Sequence, residues 1–211
     1  MSISVVVPAY NEAGRIGAVL APILNSKLVD EVIVVDDGST DETAEEARQF
    51  EVRVLELGEN RGKAAALDAG VDEARNDTLL FLDADLVGLK TEHVDDLINA
   101  YRERSLDMAI GVFSNGRAKT DIAQLINPFA SGQRILSRML WHRARENIEG
   151  MDYGIEMTLS KLAAKEGWNK EHVKLPGVTH VLKEEKRGFA QGIKDRFKMY
   201  GDMIKWLIRR V

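Results

Sequence analysis

The chain has 211 residues, of which 45% are hydrophobic and 30% are charged, and it contains no cysteine. These proportions are typical of a folded globular protein. The missing cysteines exclude a disulfide framework, a Cys-ligated metal site and a thiol nucleophile. The formal net charge of −5 does not supply the basic field typical of general nucleic-acid binding, so no nucleic-acid partner is predicted.

The predicted elements alternate between short apolar runs and helical patterns. Strands are predicted at 3–7, 31–35, 52–57, 78–82, 108–113 and 173–182. Helices are predicted at 12–24, 41–49, 63–74, 91–102, 135–145 and 153–166, with another from 188 onward. Continuous Val, Ile and Leu runs joined by helices predict an α/β fold with a mostly parallel central sheet and helices on both faces. We expect a single domain over 1–211.

The end of the sequence differs in charge from the rest. Residues 183–211 contain nine Lys and Arg against four Asp and Glu, and apolar residues recur there at spacings of three and four. This pattern predicts a basic amphipathic helix over 189–211. Either it contacts an anionic membrane surface, or it packs on the body or in a homodimer. With no signal peptide and no apolar window of membrane-spanning length, we expect a cytoplasmic chain, at most peripheral to the inner face of a membrane.

Polar residues follow two of the first predicted strands. Pro8 is expected to end the first strand and to leave Tyr10 as a stacking surface. Asp36 and Asp37 follow the second strand, and Ser39 begins an S-x-x-E capping box. Adjacent carboxylates need hydrogen-bond donors, which a base or a ribose offers. In parallel sheets, ligands gather at the carboxyl ends of strands, so these residues are expected to meet there.

A third cluster is Asp83-Ala84-Asp85, which follows the strand at 78–82. Two carboxylates in a D-x-D pattern suit Mg²⁺ or Mn²⁺ bridging a diphosphate. Gly62 and Lys63 lie at a predicted helix start, where anions bind. The glycine-rich fingerprints of P-loop and dinucleotide-binding proteins are missing.

Four motifs in this order resemble those of the family 2 glycosyltransferases with the GT-A fold, which is Rossmann-like. They are P-A-Y-N-E at 8–12, V-D-D-G-S-T-D at 35–41, N-R-G-K at 60–63 and D-A-D at 83–85. The resemblance implies a nucleotide-sugar donor, linked to UDP or GDP, in a half covering 1–110. It places these residues around the donor: Pro8, Ala9, Tyr10, Glu12, Asp36, Asp37, Gly62, Lys63, Asp83 and Ala84. It also implies Mn²⁺ or Mg²⁺ on Asp83 and Asp85.

The acceptor half, 111–188, is similar to polyprenyl-phosphate sugar synthases and to glucosyl-3-phosphoglycerate synthases. The resembling motifs are S-G-Q-R at 131–134, Y-G-I-E at 153–156 and V-T-H at 178–180. This similarity implies His180 as a third metal ligand and a polyprenyl phosphate or small phosphorylated acceptor. A hydroxyl acceptor would want a carboxylate base, for which Glu156 and Asp152 are the candidates. A phosphate acceptor would need little or no base, and Arg134, with Arg138 and Arg143, is a candidate partner for it.

Two other functions stay open from the sequence. One is a non-catalytic nucleotide-binding protein, against which the intact D-A-D argues. The other is a sugar-1-phosphate nucleotidyltransferase, which should show a Gly-rich basic loop after the first strand, where this chain has P-A-Y-N-E.

Overall fold

The computed structural model describes residues 1–113, 131–146 and 155–180. Its strands are β1 (Ile3–Ala9), β2 (Glu31–Asp36), β3 (Arg53–Glu56), β4 (Thr78–Phe81), β5 (Leu86–Val87), β6 (Met108–Phe113), β7 (Arg134–Ser137), β8 (Lys170–Leu175) and β9 (Thr179–His180). Its helices are α1 (Ile16–Leu24), α2 (Thr43–Ala47), α3 (Lys63–Glu73), α4 (Thr91–Glu103), α5 (Arg138–Arg145) and α6 (Ile155–Glu166). The chain divides into two compact units, Met1–Thr179 and His180–Val211, and only His180 of the second is among the described residues.

Seven strands form one sheet in the order β3-β2-β1-β4-β7-β6-β8. Four of the pairings are parallel, while β7 runs antiparallel to both of its neighbours, β4 and β6. The predicted α/β class with a mostly parallel sheet is therefore confirmed. Because β1, β2 and β4 are parallel neighbours, the segments that follow them meet at one edge of the sheet.

Helices cover both faces of this sheet because the strand residues are apolar on both sides. On one face, Val5 and Val7 of β1 pack with side chains of α1 and α4. On the other, Val6 packs with side chains of α3, α5 and α6. This burial on both sides explains why the strands are continuous apolar runs rather than alternating patterns.

Three of the predicted elements were wrong in part. β1 continues through Pro8 to Ala9, because Pro8 lies beyond the last β1–β4 pair, Val6 with Phe81, and so borders β2 alone. The predicted helix at 135–145 begins as the strand β7, whose Ile135 and Leu136 are fully buried between two neighbouring strands, and becomes helical only at Arg138. The predicted strand at 173–182 is two strands, β8 and β9, separated by a turn.

Other element boundaries moved by a few residues. α1 begins at Ile16 rather than at residue 12, and α2 spans Thr43–Ala47 rather than 41–49. The predicted helix from 188, together with 153–154 of the predicted helix at 153–166, lies outside the described residues. In the part of the chain that the structure describes, no helix is both long and apolar enough to cross a membrane.

Candidate active site

The segment after β1 is held by the segment after β2. The N–H groups of Asn11 and Glu12 donate to the hydroxyl oxygens of Ser39 (2.9 Å) and Thr43 (2.8 Å). Asn11 has a φ of 56°, a left-handed conformation that Asn tolerates better than most residues. These bonds fix the backbone beside Tyr10, a residue that is 37% exposed and therefore available for stacking.

Asp36 lies at the end of β2 and is buried. It accepts hydrogen bonds from the backbone N–H and the hydroxyl of Ser39, so Ser39 does not cap a helix and the predicted capping box was wrong. The helix starts later, and its first turn is held by Asp41, which accepts from the Thr43 N–H at 3.1 Å. Burial raises the pKa of Asp36 above its ordinary value, although the Ser39 hydrogen bonds oppose this.

Asp37 joins the segment after β2 to the start of α3. Its two carboxylate oxygens accept the backbone N–H groups of Arg61 and Gly62, each at 2.8 Å. Gly38 permits this contact, because a Cβ there would lie 2.6 Å from Glu59 Cα. The protein itself thus supplies donors to both adjacent carboxylates, so their position side by side does not require a base or a ribose. Nucleotide binding by Asp36 and Asp37 stays a prediction.

Lys63 is the first residue of α3 and joins two predicted site carboxylates. Its Nζ lies 2.5 Å from Asp83 Oδ1 and 2.6 Å from Glu156 Oε1. The two carboxylate side chains are largely buried, at 15% and 14% exposure, whereas that of Lys63 is 39% exposed. Lost hydration lowers the pKa of Lys63, but the two carboxylates outweigh this and raise it above its ordinary value. The structure therefore brings together three residues that are far apart in sequence.

The segment before β7 closes one side of this cluster. Gln133 is fully buried, and its side-chain Nε2 donates to Asp83 Oδ2 at 2.9 Å. Ser131 is buried too, and its hydroxyl donates to the carbonyl oxygen of Gly111 at 2.5 Å. The S-G-Q-R motif at 131–134 includes Gln133, but only Arg134 of the motif was predicted to have a role. The contact of Gln133 with Asp83 joins residues 50 positions apart, which the motif alone does not reveal.

Arg134 lies beneath the site and is only 1% exposed. Its guanidinium donates to the Ser131 carbonyl oxygen (2.8 Å) and to the Ser160 hydroxyl (3.0 Å). Burial lowers the pKa of Arg134 to about 10, with Glu156 opposing the effect. Acceptor binding by Arg134 stays a prediction. Its hydrogen bond to Ser160 connects β7 to α6.

The two other arginines predicted to face an acceptor also have contacts within the protein. Arg138 donates to backbone carbonyl oxygens at the end of α3, at Val71, Ala74 and Asn76. Arg143 pairs with Glu166 in α6, at 2.9 Å. Both arrangements tie helices together on one face of the sheet.

The two carboxylates of the D-x-D motif lie close to His180, the predicted third metal ligand. Asp83, Asp85 and His180 each offer one ligand atom, and these atoms all lie within 4.8 Å of one another. The three residues are partly buried, so an ion could reach them from solvent. Two carboxylates and one imidazole are a donor set that suits Mn²⁺ or Mg²⁺. The residues present thus fit the predicted ion.

The remaining predicted residues lie around this edge of the sheet. Ala9 and Ala84 are each only 3% exposed, so their side chains offer little contact surface. The carbonyl oxygen of Ala9 accepts the N–H of Asp37 at 2.8 Å. Glu12 is buried and is paired with Arg15 at 2.7 Å. Asp152 lies outside the described residues.

Known proteins resemble this chain in both sequence and fold. It is 39% identical over 106 residues to a 4,4'-diaponeurosporenoate glycosyltransferase of Staphylococcus aureus (strain bovine RF122 / ET3-1), a match covering 48% of this chain and 28% of the relative. The matched region therefore spans little more than a quarter of that relative's length. Another similar enzyme, from Staphylococcus aureus (strain USA300), is 38% identical over 106 residues, again 48% of this chain and 28% of the relative.

Solved structures show the same fold. A glucosyl-3-phosphoglycerate synthase from Mycobacterium tuberculosis, crystallised with Mn²⁺, UDP and glucosyl-3-phosphoglycerate, superposes with a TM-score of 0.71 at 26% identity, covering 85% of this chain and 72% of that one. The same enzyme with Mg²⁺ and UDP gives a TM-score of 0.70 at 26% identity, covering 85% and 71%. The fold is thus GT-A-like, as the resemblance implied.

The sequence profile described as "Glycosyl transferase family 2" matches residues 4–168, which extend from the second residue of β1 to just beyond the end of α6. This match covers well over half of the 211 residues. The chain belongs to glycosyl transferase family 2.

Proposed function

We propose that this protein transfers a sugar from a nucleoside diphosphate sugar to an acceptor, with Mn²⁺ or Mg²⁺ as cofactor. The observation that carries the proposal is the grouping of Asp83, Asp85 and His180 within 4.8 Å, beside the ion pair of Asp83 with Lys63. The Mycobacterium tuberculosis enzyme was crystallised with UDP-glucose and Mn²⁺, which supports a UDP-linked donor as the first to test.

The metal ion would be held by Asp83, Asp85 and His180. When bound, such an ion stabilises the negative charge that builds on a departing nucleoside diphosphate. The protein's part is to present partly buried oxygen and nitrogen ligands from two places in the chain, the segment after β4 and strand β9.

Lys63 supplies the positive charge of the cluster. An ammonium group at the start of a helix suits an anionic phosphate, because the backbone N–H groups of the first turn also favour negative charge. Asp83 and Glu156 hold this ammonium from two sides, so Lys63 is placed before any ligand arrives. That placement limits the reorganisation needed when the donor binds.

Glu156 is our candidate general base for a hydroxyl acceptor. It lies in the first turn of α6 and is within 2.6 Å of Lys63 Nζ, so its carboxylate is at the site. In this role it would accept the proton of the attacking hydroxyl while the oxygen bonds to the sugar carbon and the nucleoside diphosphate leaves. Asp152 stays the alternative base.

The segments after β1 and β2 would form the nucleoside side of the site. Tyr10 offers an exposed ring for stacking a base, next to the backbone fixed by Ser39 and Thr43. Asp36 and Asp37 hold that framework through their hydrogen bonds, and any contact that they make with the nucleotide would come in addition. Pro8, Ala9, Glu12, Gly62 and Ala84 are proposed as backbone or packing contributors to the same site.

We propose a lipid phosphate, such as a polyprenyl phosphate, or a small phosphorylated compound as the acceptor. The names of the two similar enzymes, a diaponeurosporenoate glycosyltransferase and a glucosyl-3-phosphoglycerate synthase, support one lipid-like and one phosphorylated candidate. Parallel transfer assays with polyprenyl phosphate, 3-phosphoglyceric acid and 4,4'-diaponeurosporenoate would separate these classes. Transfer to neither polyprenyl phosphate nor 3-phosphoglyceric acid would refute the proposed acceptor classes, even if 4,4'-diaponeurosporenoate were glycosylated.

A lipid acceptor would fit peripheral attachment to the inner face of a membrane through the basic segment 189–211. The alternative is that this segment packs within the protein or in a homodimer. Sedimentation with anionic liposomes of the intact chain and of a chain lacking 189–211 decides between them. Equal sedimentation of the two would exclude the membrane role.

The activity is tested by release of UDP from UDP-glucose and other UDP-linked and GDP-linked sugars, with Mn²⁺, with Mg²⁺ and with EDTA. We expect release that depends on the metal and is lost in Asp85→Ala. The matched control is Asp30→Ala, which removes a carboxylate that accepts the Ile3 N–H at 2.7 Å, at the other end of β1. Metal-independent release, or full activity in Asp85→Ala, would contradict the proposal.

A further inference from the structure

Gly132 lies against the Lys63–Asp83 ion pair. A Cβ built on Gly132 would be 2.6 Å from Asp83 Oδ2, 2.6 Å from Lys63 Nζ and 2.7 Å from Asp83 Oδ1. Real Cβ atoms essentially never approach other heavy atoms so closely. Any side chain at 132 would therefore occupy the space in which the carboxylate and the ammonium meet.

Both chain neighbours of Gly132 are hydrogen-bonded to other parts of the protein. Ser131 is bound to Gly111 through its hydroxyl and to Arg134 through its carbonyl oxygen. Gln133 is fully buried and donates to Asp83. Because both neighbours of Gly132 are anchored, an added methyl group would be accommodated by displacing the ends of Asp83 and Lys63.

The backbone conformation of Gly132 does not explain why glycine is found at this position. Its backbone is not in the left-handed region, which in this chain is occupied by other glycines such as Gly62 with a φ of 88°. An alanine at 132 would therefore not meet the left-handed strain that it would meet at Gly62. The reason for glycine here is space at the ion pair and not backbone freedom.

We propose that Gly132 is a positioning residue, which must lack a side chain so that Asp83 and Lys63 stay in contact at the site. This inference rests on the proposed function for its consequence in turnover, but the contact itself can be measured without it. A shift of about 1 Å in a catalytic constellation can cost about 10²-fold in rate. Since the clash falls on the flexible ends of two side chains, Gly132→Ala should fold with a nearly unchanged melting temperature.

The experiment compares wild type, Gly132→Ala and Gly70→Ala. In Gly70→Ala the added Cβ meets Val6 and Val35 in the core, so this control lowers stability without reaching the ion pair. The contact is followed by the side-chain ¹⁵N resonance of the Lys63 ammonium, assigned from its loss in Lys63→Met. Metal-dependent release of UDP from the donor and the melting temperature are measured on the same samples.

For Gly132→Ala we expect a Lys63 signal typical of a free, rapidly exchanging ammonium and a turnover reduced by about 10²-fold. We also expect Gly132→Ala to add little to the loss in a Lys63→Met background, since both changes break the same contact. A Lys63 signal like that of wild type, or a lost contact with unchanged turnover, would overturn the inference. If wild type releases no UDP from any donor, the proposed function fails. The Lys63 signal still tests whether Gly132 keeps Asp83 and Lys63 in contact.

Discussion

The buried carboxylate of Asp37 gives the sharpest prediction about how the site is held. Its two oxygens accept the N–H groups of Arg61 and Gly62, and the next residue, Lys63, starts α3 and reaches Asp83. In Asp37→Ala both N–H groups lose their acceptor. We expect a less stable protein in which Lys63 is no longer fixed.

The size of the effect follows from the two hydrogen bonds. Each is a bond to a charged acceptor, worth roughly 1.5–3 kcal/mol when buried. Because Arg61 is exposed, water can partly replace one of them, so we expect a total loss of about 2–4 kcal/mol in the free energy of unfolding. For a chain of this length that corresponds to a melting temperature lower by roughly 4–16 °C. Asp37→Asn, whose amide can accept through only one oxygen, should lose about half as much.

Urea and thermal unfolding measure the loss, with Asp30→Ala as the control. That change removes an exposed acceptor of one N–H, at Ile3, and should cost about 1 kcal/mol or less. A UDP titration in the presence of Mn²⁺ reports whether Lys63 has moved, and only Asp37→Ala should weaken the binding. Equal stabilities for Asp37→Ala and Asp30→Ala, with unchanged UDP binding in both, would refute the role of Asp37 in holding the start of α3.

Two further predictions concern the metal ligands and acid stability. His180→Ala should weaken Mn²⁺ binding by about tenfold or more, because one of three ligand side chains is removed, and paramagnetic resonance of free Mn²⁺ measures this; an unchanged affinity would exclude His180 as a ligand. Burial raises the pKa of Asp41, but hydrogen bonds from Thr43 and the Ala13 N–H, together with the charge of Arg15, outweigh it and lower the pKa below its ordinary value. Its stabilising effect is therefore present above about pH 4 and is lost as the pH falls below this. The difference in melting temperature between wild type and Asp41→Asn should shrink over the same range, and a constant difference would contradict the assignment.

The sequence predicted the sheet and the edge that carries the site. Buried parallel strands such as β1, β2 and β4 are continuous Val, Ile and Leu runs, which local pattern reading recognises. The carboxyl ends of parallel neighbouring strands lie at the same edge of a sheet. The polar residues that follow these strands could therefore be predicted from the sequence to lie together. Asp83, Asp85 and His180 do lie together, although His180 was predicted from the family resemblance and not from the order of the strands. Metal binding by these three residues stays a proposal.

The strand β7 shows why other elements could not be predicted. Its four residues, from Arg134 to Ser137, continue directly into α5, and the combined stretch has an apolar pattern that also fits a helix. Only pairing with β4 and β6, which are distant in sequence, makes Ile135 and Leu136 part of the sheet. Contacts between distant parts of the chain determine the strand conformation of β7, and the local sequence pattern does not predict such contacts.

The partners of the site carboxylates were also beyond the sequence. Asp37 accepts the N–H groups of Arg61 and Gly62, which are 24 and 25 residues away. Every residue except proline has a backbone N–H, so residue type does not reveal which of them will donate. Gly132 belongs to the S-G-Q-R motif, but the motif does not reveal why glycine is needed there, because the groups around it, Lys63 and Asp83, come from distant parts of the chain. Residue type indicated what the site could bind, whereas long-range packing determined which groups hold it.

Calorimetric titration of wild type and Asp85→Ala with UDP, with and without Mn²⁺, decides whether the grouped residues form a metal-dependent nucleotide site. We expect wild type to bind UDP tightly only when Mn²⁺ is present, and Asp85→Ala to lose this dependence while keeping its melting temperature. Equal UDP binding with and without Mn²⁺ in wild type, or an unchanged metal effect in Asp85→Ala, would contradict the proposed site.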